Sequence, residues 1–341
     1  MLLRKRLLGS TQCRAMSKPS FASVDPDTMS GTNVHEVQNL LGGAWVSDAS
    51  MEEVVDPLNG EVFMKVPLSK GPVLDSYVTS LNSCPKSGLH NPFKKPERYW
   101  LYGDVSAAAA ARLKEPEVED FFVKLIQRVA PKSDGQARGE VRVTQRFVEN
   151  FGGDQPRFLA RGFSVTGDHA GQMSHGHRWP YGPTTLITPF NFPFEIPLLQ
   201  LMGALYMGNK VLLKVDSKVS VVMEQTLRLF HECGMPMEDV DMINCDGDSM
   251  HEILMKADPR MTLFTGSQKV AEMLTLTLTL TLTLTLTLTL TLTLTLTLTQ
   301  TKAAYSNMFS KISVYDDKEA PVLPGTSPDN PKVTALPSPL S

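Results

Sequence analysis

The sequence predicts an α/β protein, a Rossmann-type parallel β-sheet with flanking helices. Three observations predict it. Leu186 to Lys214 reads as β-type run, loop, nearly all-apolar helix and β-type run, which is a βαβ unit. Helical and β-type segments go on alternating downstream as far as Thr265. Upstream, Glu97 to Leu113 and Glu117 to Val129 are helical in pattern and suited to packing on such a sheet.

Within the central unit, Leu186-Ile187-Thr188 is the first strand and Pro189 breaks it. Asn191 follows, between Phe190 and Phe192 and ahead of Pro193. Glu195 to Met207 is the apolar helix, and Gly208-Asn209 stops it, since both residues tolerate the positive φ of a helix end. Lys210 to Val215 is the second strand, with Lys214 near its end. Ligands of open α/β sheets bind at the carboxyl ends of the strands, where Asn191 and Lys214 fall. An amide held by flanking rings and prolines is a preorganised hydrogen-bond donor suited to a developing oxyanion, and a strand-end lysine suits phosphate or ribose oxygens. A loop-bracing asparagine and a solvated lysine are the competing readings of the same pair.

Taken from its beginning, the chain has 341 residues, room for two domains or one large one. Lys and Arg number 33 against 36 Asp and Glu, a net charge of −3, so no global field favours nucleic acid or an anionic membrane. No apolar run is long enough to span a bilayer. Cys13, Cys84, Cys233 and Cys245 show no CxxC or metal spacing, which suits a reducing compartment. Residues 1–24 carry Arg4, Lys5, Arg6, Arg14 and Lys18 and no acid, the composition of a mitochondrial transit peptide. A frayed terminus is the plainer reading.

From Asn33 to Pro67, Trp45, the turn Asp56 to Gly60 and alternating Val and Phe predict short strands. His90, Trp100 and Arg128 read as packing or surface residues. Arg157 to Val165 and Gly171 to Pro180 read as two extended segments around a Gly-rich turn. His175 and His177 form a pair, but two residues cannot complete a zinc site, and no metal is expected. Ser217 is a plausible N-cap for a helix from Lys218 to Cys233 ended by Gly234. Val240 to Cys245 is a strand, Ser249 to Lys256 a helix capped by its own Ser, and Met261 to Thr265 another strand. Gly266-Ser267 then opens a helix whose N-terminal N–H groups would attract a pyrophosphate.

The TPFNFP loop with GNKVLLK resembles the aldehyde dehydrogenase superfamily. FTGSQKV matches the same family's FTGS-x-x-V, and VDSKVSVVMEQ, GLHNPFKKPERYWLYGDVS from Gly88, LIQRVAPKS from Leu125 and SHGHRWPYGP from Ser174 resemble its plant-type 1-pyrroline-5-carboxylate dehydrogenase branch. The resemblance runs from about Val34 to Leu274 and implies a partial aldehyde dehydrogenase domain over 33–273. It implies NAD as cofactor and a small-molecule aldehyde, L-glutamate γ-semialdehyde, oxidised to L-glutamate in proline catabolism in the mitochondrial matrix. It also implies homo-oligomers pairing through an arm at about 157–180. Asn191 would be the oxyanion amide, and Thr188, Pro189 and Phe190 would line the nicotinamide side. Lys214 would contact the adenosine ribose, and Gly266, Ser267 and Val270 would clamp pyrophosphate and adenine, with Gly247 beside the adenosine. Ser217 stands where many members carry a Glu that grips both ribose hydroxyls, so NAD against NADP stays open, although this branch generally uses NAD.

The likeness then stops. Leu274 to Thr299 is strict Leu-Thr alternation, and 300–341 is a Pro-rich tail of low complexity with the composition of disorder. Thr285 stands about where the branch has its general-base Glu, and no family-like nucleophilic Cys motif follows. Among the cysteines only Cys245, ending a strand on the cofactor side, is placed to be weighed as a thiolate, and structural packing is its simpler role. An oxyanion donor contributes roughly 10²–10³ in rate. Loss of the nucleophile costs on the order of 10⁶. The expectation is a family member without activity in this form; the alternative is a non-catalytic NAD-binding or hetero-oligomerising fragment.

Overall fold

The computed structural model describes residues 18–56 and 59–274. Cys13, Thr285, the Leu-Thr tract from 275 and the tail 300–341 lie outside the described residues. In chain order, the strands are β1 (His35–Glu36), β2 (Asn39–Leu41), β3 (Ala44–Val46), β4 (Met51–Val55), β5 (Val62–Pro67), β6 (Gly162–Thr166), β7 (Met173–His177), β8 (Pro183–Ile187), β9 (Lys210–Lys214), β10 (Val240–Met242) and β11 (Met261–Phe264). The helices are α1 (Val73–Asn82), α2 (Glu97–Leu113), α3 (Pro116–Val129), α4 (Asp134–Glu149), α5 (Gln155–Leu159), α6 (Glu195–Tyr206), α7 (Ser220–Glu232) and α8 (Gly247–Ala257). The chain divides into two units, 1–267 and 268–341. The described part of the second is a helical stretch, 268–274, in which Gln268 Nε2 donates to Glu272 Oε1 at 2.9 Å.

The apolar runs of the central unit become its buried elements. Leu186, Val211, Leu212 and Leu213 are fully buried in β8 and β9, as are Leu198, Leu201, Met202, Leu205 and Tyr206 of α6. Burial on both faces is the mark of a parallel sheet. α6 ends at Gly208, where φ is +92°. Asn209 secures the exit: its Nδ2 donates to Ala204 O at 2.9 Å, and its Oδ1 accepts from Gly182 N at 3.0 Å.

The main sheet has the order β11-β8-β9-β10-β2-β3. β11, β8, β9 and β10 are parallel, and β2 and β3 continue antiparallel beyond β10. The chain steps outward from β8 through β9 to β10 and then returns to the other side of β8 for β11. The strand order therefore reverses between β8 and β11, as in a Rossmann-type sheet. β1, β5 and β4 form a second, three-stranded sheet, and β6 and β7 an antiparallel pair.

Several expected boundaries move. Asp216, not Ser217, caps the chain after β9, accepting from Lys218 N at 3.1 Å; Ser217 lies inside the 3-10 turn Ser217–Val219 that precedes α7. Asp246, not Ser249, caps α8, and Ser249 N donates to it at 2.8 Å. In both cases an acid just upstream competes for the same amides. The second extended segment holds as β7, but Arg157 to Leu159 finish α5 instead of starting a strand. α1 and α4 are helices that the sequence pattern does not resolve. α4 is polar over most of its length, opens on a capping box, Ser133 with Gln136, and turns a narrow stripe of Ala137, Val141, Thr144 and Val148 inward. Phe21, Ala22 and Val24 are buried in the core beside α3 and α7, and Ser23 N donates to Gln225 Oε1 at 2.9 Å.

Candidate functional site

The carboxyl ends of the parallel strands are laced together by their last backbone bonds. Thr188 N donates to Lys214 O at 3.1 Å, Thr265 N to Ile187 O at 3.0 Å and Ile243 N to Leu213 O at 3.0 Å. Thr188, Lys214 and Gly266-Ser267 are thereby brought to one edge of the sheet, on either side of the reversal between β8 and β11. Val270 belongs to the second unit, on the stretch 268–274.

Two buried polar atoms at this edge lack a protein partner among the described residues. They are the Thr188 hydroxyl and Gln200 Oε1. Gln200, on α6, donates its Nε2 to Thr265 Oγ1 at 2.5 Å. Unmet buried groups of this kind are uncommon and mark places where a ligand or water completes the bonding. Lys214 is half-buried, and its Nζ lies 3.4 Å from the Val215 carbonyl. A Cβ at Gly266 would come within 2.6 Å of the tip of the half-buried Phe264 ring, which would have to move to admit it. These features fit a dinucleotide: amide donors at a Gly-Ser turn, a cation at the neighbouring strand end and unsatisfied hydroxyl and carbonyl groups between them.

Farther along the edge, Gly247 begins α8. Asp246 before it pairs with Lys70 at 2.8 Å, and the Lys70 ammonium and the Ser249 N–H hold its carboxyl down to about 2. Ser217 Oγ lies 3.3 Å from Glu52 Oε2, so a carboxylate from β4 stands beside the position that was expected to lack one.

Asn191 is exposed in the loop between β8 and α6. The expectation that neighbouring rings hold its amide needs correction, since Phe190 and Phe192 are themselves 61% and 41% exposed. What fixes the loop is its far end. Phe194 is fully buried, its ring centroid 4.8 Å from that of Phe122 at a tilt of 36°, and the backbone N–H groups of Phe194 and Glu195 donate to Glu140 Oε1 at 2.9 and 3.1 Å. Glu140 Oε2 accepts from Lys132 Nζ at 2.5 Å, and Lys132 lies 4.0 Å over the Phe192 ring. Glu140, Lys132 and Gln200 were missed in the sequence. The available signal was an acid on the inward stripe Ala137, Val141, Thr144 and Val148 of α4.

The described cysteines do not take part. Burial pushes the Cys245 thiol up to about 12 and the Cys233 thiol up to about 11, and raises Cys84 as well. His90 is buried with Nε2 3.2 Å from Tyr206 O, Trp100 Nε1 donates to Asp154 at 3.0 Å, and Arg128 pairs with Asp56 at 2.8 Å, which are packing roles. His175 and His177 lie on β7, and no group of three or more His, Cys, Asp or Glu among the described residues could hold a metal. No helix among the described residues is long and apolar enough to cross a membrane.

A Rossmann-type sheet whose strand order reverses between β8 and β11 defines the class of open α/β proteins with a ligand edge at the carboxyl ends of their strands, and the aldehyde dehydrogenase family model matches residues 45–289. The chain belongs to the aldehyde dehydrogenase family. It is 62% identical over 256 residues to the mitochondrial delta-1-pyrroline-5-carboxylate dehydrogenase 12A1 of Arabidopsis thaliana, covering 75% of this chain and 46% of that one. It is 30% identical to malonate-semialdehyde dehydrogenase 2 of Bacillus mycoides, over 71% of this chain and 48% of the relative. Among solved structures, the NAD-dependent aldehyde dehydrogenase of Sinorhizobium meliloti superposes with a TM-score of 0.63 at 24% identity, covering 76% of this chain and 50% of that one. The chain thus spans about half the length of the curated relatives it matches.

Proposed function

We propose that residues 33–273 of this chain are an NAD cradle of an enzyme line that oxidises L-glutamate γ-semialdehyde to L-glutamate in proline catabolism. The observation that carries this reading is the common edge formed by Thr188, Lys214 and Gly266-Ser267 at the reversal of strand order, with buried polar atoms left open there. Bound at that edge, NAD supplies a two-electron hydride acceptor. Lys214 would donate to ribose oxygens, the Gly266-Ser267 amides to the pyrophosphate, and the Thr188 hydroxyl to the nicotinamide end. Glu52, beside Ser217, supports NAD over NADP, because a carboxylate there accepts from ribose hydroxyls and repels a 2′-phosphate. Asn191 would donate to the aldehyde oxygen as negative charge gathers on it.

The same chemistry needs a thiolate to add to the aldehyde carbon and a base to activate the water that releases the acid. Cys84, Cys233 and Cys245 are held protonated by burial, and Thr285 carries no carboxylate. We therefore infer that this polypeptide binds the cofactor without turning over aldehyde. Glutamate-semialdehyde-dependent NADH formation by the 341-residue chain is expected to be absent, and measurable turnover would overturn the inference.

A second reading, a non-catalytic partner in hetero-oligomers, is favoured by the pair β6–β7, on which Phe163, Val165 and Met173 are exposed. Homo-oligomers through the arm at about 157–180 would use the same surface. The identity to a mitochondrial relative and the basic start support import into the mitochondrial matrix. Because Phe21, Ala22 and Val24 are core residues, the segment acting as a leader would end before Pro19.

A further inference from the structure

We propose that Glu140 and Lys132 are the positioning pair of the Asn191 loop, the residues that set where its amide is presented. What the loop serves rests on the dinucleotide-site reading above; how it is held does not.

Glu140 comes from α4 and is 3% exposed. One carboxylate oxygen receives the amide of the residue that caps α6, Phe194 N, and the first amide of α6, Glu195 N, and α6 has no side-chain cap of its own. The first amides of a helix have no partner inside it, and a carboxylate there also meets the positive end of the helix dipole. The other oxygen receives Lys132 Nζ, whose ammonium lies over the Phe192 ring, one residue beyond Asn191. At the near end of the loop, Thr188 N is tied to Lys214 O. Residues 189–193 thus span two fixed points, and one buried carboxylate controls the second of them twice, through backbone and through cation.

A carboxylate that merely joined α4 to α6 would need only the two amide bonds. The Lys132–Phe192 contact adds nothing to that join and acts only on the loop. Hence the two arms separate by mutation.

Hydrogen exchange of the full chain, without cofactor, tests this on the peptides covering 188–195, with 240–257 as control. Glu140→Ala is expected to speed exchange of the Phe194 and Glu195 amides at least tenfold, and Glu140→Gln, which keeps an acceptor, to restore most of the protection. Lys132→Met is expected to leave those two amides protected while the backbone order parameters of Phe190, Asn191 and Phe192, read by nitrogen-15 relaxation, fall. Unchanged order parameters at 190–192 in Lys132→Met would overturn the proposal, as would equal acceleration of exchange at Phe194, Glu195 and the control in both Glu140 variants. Should Glu140→Ala fail to fold, Lys132→Met alone decides. A wild-type chain that binds no NAD would remove the functional reading and leave this result standing.

Discussion

Replacing Gly208 with Ala strikes the hinge between α6 and β9, on which the spacing of Asn191 and Lys214 depends. Gly208 has φ +92°, and a Cβ built on it would lie 2.1 Å from the His90 carbonyl oxygen, which is backbone and cannot swing aside. The Gly208 carbonyl also accepts from Leu89 N at 2.7 Å, so moving the turn would break that bond. Left-handed strain for a residue with a Cβ costs roughly 1–2 kcal/mol. A lost hydrogen bond adds about 1 kcal/mol, and relief of the clash at least as much again. The total is about 3–4 kcal/mol, which for a body of this size lowers Tm by roughly 10 °C. Gly71 is the control, with φ +64° and nothing within 4 Å of a built Cβ, so Gly71→Ala meets strain but no clash. Its expected loss is about 4 °C. Thermal denaturation of both variants, checked by urea midpoints, makes the comparison. Equal losses would refute the claim that close packing against His90 fixes this turn.

Burial lowers both His90 and His231 to about 4, so the unfolded chain takes up protons on these groups between about pH 6.5 and pH 4 while the folded chain does not. Stability is therefore full above pH 6.5 and falls as the pH drops through this window, by on the order of 3 kcal/mol per histidine at its lower end. Asp239 and Glu195, raised by burial, oppose the trend near the bottom, so urea midpoints at pH 7 and pH 5 give the clean reading; no decrease would contradict it. A thiol near 11 leaves about one molecule in a thousand ionised at pH 8. Iodoacetamide should accordingly label Cys84, Cys233 and Cys245 far more slowly in the native chain than in urea, and fast native labelling of Cys245 would reopen it as a reactive group.

The central unit was legible because its signals are local. Pro189 and Gly208 bound an apolar run whose length leaves no alternative to a buried helix, and β-branched residues mark the strands. That register put Lys214 at a strand end, whereas the weight given to Gly266-Ser267 came from the resemblance of FTGSQKV to the family. The caps were misassigned because Asp216 precedes Ser217, and Asp246 lies just ahead of Ser249. All four are legitimate cap residues, and only the backbone decides which one turns inward. Glu140 was missed for a different reason: its partners Phe194 and Glu195 lie more than fifty residues away, so the acid on the inward stripe of α4 gives no hint of what it binds. The hold on Asn191 was likewise assigned to neighbouring rings, because adjacency is all that a sequence displays.

Calorimetric titration of the 341-residue chain with NAD, alongside Lys214→Ala, addresses the cradle itself. Among the described residues the Lys214 ammonium donates one long contact, to Val215 O, so its loss should spare the fold. Removing a charged donor weakens binding by ~10- to 100-fold. The account predicts saturable heat from the wild-type chain and a correspondingly higher Kd for the variant. No binding heat from the wild-type chain at millimolar NAD, or the same Kd for both, would contradict it.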